Sequence, residues 1–181
     1  QLTSGEAVVL TEKLPEYEVK NASLGRLLGY TLARAEIASP YPANDNSPRI
    51  SVVYYDANGK IIGGGSGYRA GLIGNSLNGV VISGIGSEGI DKFGVYAGLS
   101  AIPVMLPPEL PVDFQLLLLK GSSFTQNEGF LTYNLVVENP NANYLVDRAL
   151  YQVKAYNSDG ALILAHQDLI FSLLPGQMLG I

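Results

Sequence analysis

The chain has 181 residues and a mass of 19.3 kDa, too long for one sandwich of about 100 residues and close to what two require. Apolar residues make up 47% and charged residues 15%, against roughly 25% charged in an average soluble domain, which excludes a disordered chain. A net charge of −5 with a pI near 4.8 excludes the basic stripe that a nucleic-acid partner needs, and the absence of cysteine excludes disulfides and thiolate sites.

From the N-terminus, Gln1-Leu2-Thr3-Ser4-Gly5 is the kind of start left when a signal peptide or an expression tag is cut away. Tyr17-Glu18-Val19-Lys20-Asn21 reads as a strand end closed by a turn-forming Asn, and Asn21-Ala22-Ser23 is also an N-glycosylation sequon. Residues 24–37 place Leu27, Leu28, Leu32 and Ala35 near helical spacing, opposed by Gly25 and Gly29. Pro40, Pro42, Pro48 and Asn44-Asp45-Asn46 then argue for a surface excursion. Period-two alternation takes over at Ile50, Val52 and Tyr54, followed by an Asn58-Gly59 hairpin turn and the glycine run 63–67. Asn78-Gly79 reads as a further turn, and residues 72–83 and 93–106 supply further strands. Pro103, Pro107, Pro108 and Pro111 mark a semi-rigid linker. Beyond it, Leu131, Tyr133, Leu135 and Val137 alternate, then Tyr151, Val153 and Ala155, with turns at Asn139-Pro140-Asn141, Asp159-Gly160 and Pro175-Gly176. The densest apolar stretch, 114–119, is broken by Gln115 and closed by Lys120, and no apolar run reaches the roughly 18 to 20 residues of a membrane span.

The segment from Ile50 to Ile62 aligns without a gap on the one from Tyr151 to Ile163, so one strand-turn-strand hairpin occurs twice. Matching Asn21 to Asn139 upstream makes the first copy longer, with an insertion at about 24–48. The expected architecture is all-β: two tandem antiparallel immunoglobulin-like sandwiches lying end to end, residues 1–111 and 112–181. The second sandwich is incomplete by about 30 residues against a full one. Either the chain is truncated or a strand from another chain completes the fold.

The sequence of a strand, Tyr-Asp-x-x-Gly hairpin and later Pro-Gly resembles the small sandwich modules of bacterial and archaeal envelope proteins, notably the family named for its Phe-x-Leu-Tyr-Asp motif. Val53-Tyr54-Tyr55-Asp56 and Lys154-Ala155-Tyr156-Asn157 hold the motif position, without its Phe, and Leu174-Pro175-Gly176 resembles the turn that follows. The resemblance implies an extracytoplasmic, non-enzymatic module of lipoproteins and surface proteins.

Residue chemistry points the same way. His166 is the single histidine, so a triad or an imidazole metal site would have to use it, and an edge-strand histidine is the simpler reading. Gly84-Ile85-Gly86-Ser87-Glu88-Gly89 has dinucleotide-loop spacing, but residues 90–98 read as strand where that loop needs a helix. The 63–67 run lacks the Lys-Ser/Thr of a phosphate loop. Glu16 and Glu18 share a strand face with the pattern of solvated charge, Asp56-Ala57-Asn58-Gly59 fits a hairpin better than a calcium loop, and Asn44-Asp45-Asn46 offers oxygens to a cation. No catalytic, metal or cofactor residue is assigned. The expected function is a structural or interaction module of a microbial envelope: a spacer, an adhesin part or a filament subunit. Its partner is another protein or a second copy, joined through sheet edges, and the filament form inserts residues 7–10 or a C-terminal strand into a neighbour's open sandwich. The alternative is an extracellular module that binds glycan or calcium through residues 63–89 and the insertion.

Overall fold

A computed structural model describes residues 14–27, 29–45, 48–68, 71–86, 88–99, 109–127 and 130–181. The described residues form eleven strands and no helix, and hence no helix long and apolar enough to cross a membrane. In chain order they are β1 (Glu18–Leu27), β2 (Tyr30–Ala38), β3 (Arg49–Tyr55), β4 (Ile61–Tyr68), β5 (Leu77–Gly84), β6 (Lys92–Gly98), β7 (Leu118–Asn127), β8 (Phe130–Glu138), β9 (Ala149–Tyr156), β10 (Leu162–Ile170) and β11 (Met178–Gly180). All pairings are antiparallel, in four sheets: β1-β2-β5, β4-β3-β6, β10-β9 and β11-β8-β7.

Alternation sets the main core. Ala33, Ala35 and Ile37 of β2 and Ile50, Val52 and Tyr54 of β3 are fully or nearly fully buried, packed with Leu72, Val80 and Ile82 between the first two sheets. Each buried Ile, Leu or Val among them stabilises the fold by about 1.5–3 kcal/mol. A smaller cluster of Val137, Val146, Ile170 and Leu173 lies in the later half.

The duplicated hairpins agree atom for atom. Asp56 Oδ1 accepts the N–H groups of Asn58 and Lys60, and Asn157 Oδ1 accepts those of Asp159 and Ala161. Gly59 and Gly160 both sit at φ 78°, which requires glycine-like freedom. Equivalence extends beyond the hairpin: the bridge Asp45–Leu72 corresponds to Val146–Leu173, and the pair Ala38–Leu77 to Glu138–Met178.

These correspondences correct three expectations. Asn139 matches Ser39, not Asn21, because the Ser39 N–H bonds Ser76 O where the Asn139 N–H bonds Gln177 O. The excess assigned to an insertion at 24–48 therefore comes from matching the wrong Asn, and that stretch holds β2, the central strand of its sheet. The helical option for 24–37 fails because these residues lie in β1 and β2, and burial follows every second residue from Thr31 to Ala35. Asn78-Gly79 is no turn but lies within β5. The Asn78 side chain instead closes the preceding loop, accepting from Ile73 N–H and donating to the carbonyls of Ile73 and Ser76. The linker prolines 103, 107 and 108 and the segment 7–10 lie outside the described residues.

Every sheet draws its strands from one side of residue 111, but the two sets do not lie end to end. Val153 and Tyr151 of β9 face β8, whereas Gln152, Lys154 and Tyr156 face β2 and β5. The β9-β10 ribbon is thus covered on both faces, and the outer face of the β1-β2-β5 sheet is a packing surface.

Candidate functional site

The seam between the halves is built around a carboxylate that alternation directs away from the core. Ala35 and Ile37 point inward, so Glu36 projects outward, yet it is only 2% accessible because β9 and β10 cover it. Its Oε1 accepts from Lys154 Nζ at 3.3 Å and from the Tyr156 hydroxyl at 2.5 Å, and its Oε2 from Asn21 Nδ2 at 2.5 Å. Burial alone would push the Glu36 carboxyl upward; the hydrogen bonds from Tyr156, Asn21 and Lys154 and the ammonium charge outweigh it and hold the group below the ordinary carboxylate range. Lys154 Nζ also donates to Leu77 O at 2.8 Å. Alongside, the Gln152 carboxamide accepts from Gly79 N–H at 3.0 Å and donates to Gly79 O at 3.3 Å, like one rung of an added strand. A Cβ at Gly79 would lie 2.9 Å from Ala165 Cβ and 3.0 Å from Lys154 Cδ, so the seam closes only over glycine.

On the opposite face of the ribbon, Tyr133 of β8, Tyr151 of β9 and His166 of β10 converge. The Tyr133 hydroxyl is hydrogen-bonded to His166 Nδ1 and lies 3.4 Å from the Tyr151 hydroxyl, with the Tyr133 and His166 rings 5.7 Å apart. Burial first, then the Tyr133 hydrogen bond, raises the Tyr151 phenol above its ordinary range. The cluster ties two sheets together; its histidine faces phenols rather than a Ser and a carboxylate, so it lacks the relay of a hydrolytic triad.

The third feature is an open flank on the later half. In the first half β3 is paired on both sides, by β4 and β6, and Phe93, Val95 and Ala97 of β6 pack on the core beside Val19 and Leu24 of β1. The equivalent strand β9 is paired only by β10 among the described residues. Beside its free edge lies a cavity of about 420 Å³ lined by Leu119, Phe124, Leu135, Val137, Tyr151 and Val153. Leu119 and Phe124 of β7 are 62% and 49% accessible.

The residues singled out by sequence fall into structural roles. Gly84 ends β5 and Gly86 and Gly89 adopt positive φ, but β6, not a helix, follows; Ser87 lies outside the described residues. The 63–67 run belongs to β4, where a Cβ at Gly63 or Gly65 would strike the carbonyls of Ile85 or Ser83 at 2.3 and 2.2 Å, so these glycines let two sheets meet at a corner. Glu16 and Glu18 are exposed, and Glu18 pairs with Lys20 at 3.1 Å. Asp45 accepts the Tyr17 hydroxyl at 2.6 Å and Asn44 Oδ1 accepts Gly74 N–H at 3.0 Å, while Asn46 is not described. Asn21 sits at a bulge in β1 with φ 47° and spends its amide on Glu36. Among the described residues no three His, Asp or Glu side chains gather as metal ligands. Glu36 and Gln152 carry no motif in the sequence, and Gly79 reads there only as part of a turn; the one signal is an acidic residue inside the apolar run Ala35-Glu36-Ile37 of a strand. Comparison with protein-family models, with curated proteins and with solved structures returns no match.

Proposed function

We propose that this chain is a non-catalytic structural or interaction module of a microbial cell envelope or surface assembly, made of two tandem immunoglobulin-like units akin to the modules its hairpin motifs resemble. The observation that carries the reading is an apolar cleft, lined by Leu119, Phe124, Leu135 and Val137, beside an edge of β9 that no strand among the described residues pairs. Exposed apolar surface beside an open edge suits association with another chain and is a hazard in an isolated monomer. The interfaces that are present are made by packing and by hydrogen bonds already satisfied within the chain, as in a rigid spacer. Protease shaving and surface labelling of intact source cells test the placement: the protein should be labelled from outside, and labelling only after lysis would refute an envelope role. A thermal-shift screen with calcium, chelator and glycans tests the class. No shift is expected, whereas a ligand at 100 times its dissociation constant would add about 2.7 kcal/mol and replace this reading with a binding module.

A further inference from the structure

We propose that Asn58, at the tip of the first duplicated hairpin, is a site of spontaneous deamidation, a covalent modification that the fold blocks at the same dipeptide in Asn78-Gly79. The inference stands apart from the envelope reading and needs no partner.

The sequence holds two Asn-Gly steps, Asn58-Gly59 and Asn78-Gly79, and the chemistry open to each is the same. The main-chain nitrogen of the glycine attacks the Asn Cγ. The new N–C bond closes a succinimide ring, the Cγ–Nδ2 bond breaks, and the carboxamide nitrogen leaves as ammonia with the proton of the attacking nitrogen. Water then opens the ring at either carbonyl and leaves aspartate or isoaspartate. Glycine favours the attack because it has no Cβ to hinder the approach of its nitrogen.

Tertiary structure makes the two steps unequal. Asn58 and Gly59 are exposed, and a Cβ at Gly59 would meet nothing within 4 Å. Asp56 alone restrains this tip, its Oδ1 accepting the Asn58 and Lys60 N–H groups and its carbonyl the Gly59 N–H, each at 2.9 Å. These bonds lie in one exposed turn and open by a local fluctuation. Asn78, by contrast, is fully buried, and its amide accepts from Ile73 N–H at 2.8 Å and donates to the carbonyls of Ile73 and Ser76 at 3.1 Å. The Gly79 N–H is held by Gln152 Oε1 at 3.0 Å, within a strand paired to β2. Freeing both reacting groups there requires the β9-β10 ribbon to lift from β5 and the preceding loop to open, a far larger unit than a turn.

The twin hairpin shows what the product does to the fold. Asp159-Gly160 occupies the position of Asn58-Gly59, with Gly160 at the same φ of 78°, the Asp159 N–H on Asn157 Oδ1 at 3.1 Å and the Gly160 N–H on Asn157 O at 3.0 Å. Aspartate at position 58 therefore keeps the turn and adds a negative charge beside Asp56. Isoaspartate lengthens the main chain by one carbon and breaks the spacing on which the turn depends.

The test incubates the folded full chain in warm, mildly alkaline buffer and follows both sites by peptide mapping and mass spectrometry, with the chain unfolded in guanidinium chloride as the control. In the folded chain Asn58 should gain about 1 Da, as aspartate and isoaspartate, at least about tenfold faster than Asn78, and in the unfolded chain the two rates should agree within about threefold. Asp56→Ala, which removes the Oδ1 acceptor of the turn, should speed the reaction at Asn58 and leave Asn78 unchanged. An Asn58 that reacts in the unfolded chain but stays intact in the folded one would overturn the site. Loss of Asn78 as fast as Asn58 in the folded chain would overturn the protection assigned to β5 and the ribbon, and a D56A rate equal to the parent's would overturn Asp56 as the restraint.

Discussion

Gly79→Ala is the sharpest probe of the seam, because its sign depends on whether the seam exists. Gly79 lies within β5 outside the positive-φ region, so in a free sheet face an added methyl would stabilise by about 0.4–1 kcal/mol through the unfolded chain. Against the ribbon, the new Cβ meets Ala165 Cβ at 2.9 Å and the Lys154 stem at 3.0 and 3.1 Å, where carbon atoms prefer about 3.5–4.0 Å. Ala165 has no torsion with which to yield, so β10 must retreat by several tenths of an ångström. Overpacking of this kind costs about 1–3 kcal/mol. The same retreat stretches the Gln152 rung, whose 3.3 Å bond has little length to spare and whose two bonds are worth about 1 kcal/mol each. Urea unfolding of G79A should thus show a loss of about 2–4 kcal/mol, and the double variant with Ala165→Gly should recover about half of it. A G79A protein as stable as the parent or more so, or no recovery in the double variant, would refute the sheet-on-sheet seam.

Three further outcomes follow from the same contacts. Because the folded-state carboxyl of Glu36 is depressed, its contribution is present above the unfolded value near 4.3 and disappears as pH falls through the lower folded value; melting temperatures should hold from pH 7 to about 5 and drop below about 4, with a visibly shallower drop in E36Q. Asn139→Ala removes a fully buried amide that donates to the carbonyls of Tyr144, Leu173 and Leu174 at 2.8, 3.0 and 3.1 Å, and chemical denaturation should register a loss of about 2–4 kcal/mol. Ile50→Ala, in the doubly covered core, should cost about 2–5 kcal/mol in the same assay, and a loss under 1 kcal/mol would contradict its burial.

The strands of the hairpins and their turns were legible in the residues themselves. Ile50, Val52 and Tyr54 alternate with polar or less buried neighbours, and the Asx geometry of Asp56 and Asn157 is written in five consecutive residues, because period-two sterics and side-chain-to-backbone bonds act over a few positions. Asn78-Gly79 misled for the same reason: the dipeptide favours a turn in isolation, but pairing of β5 with β2 and the carbonyls of Ile73 and Ser76 gave it other work. The match of Asn21 with Asn139 misled because an Asn can close many kinds of bend, and only the ladder shows which backbone groups it serves. Glu36 and Gln152 stayed silent, since nothing local says that a face of β2 already turned away from one core will meet a second layer from residues more than a hundred positions later in the chain. Local sterics and hydrogen bonding therefore determined that this chain forms strands and where two of its hairpins turn. Tertiary packing decided which strand ends correspond, which charge is buried and which face of the first sheet the later strands cover, because those outcomes depend on surfaces that exist only after distant strands have met.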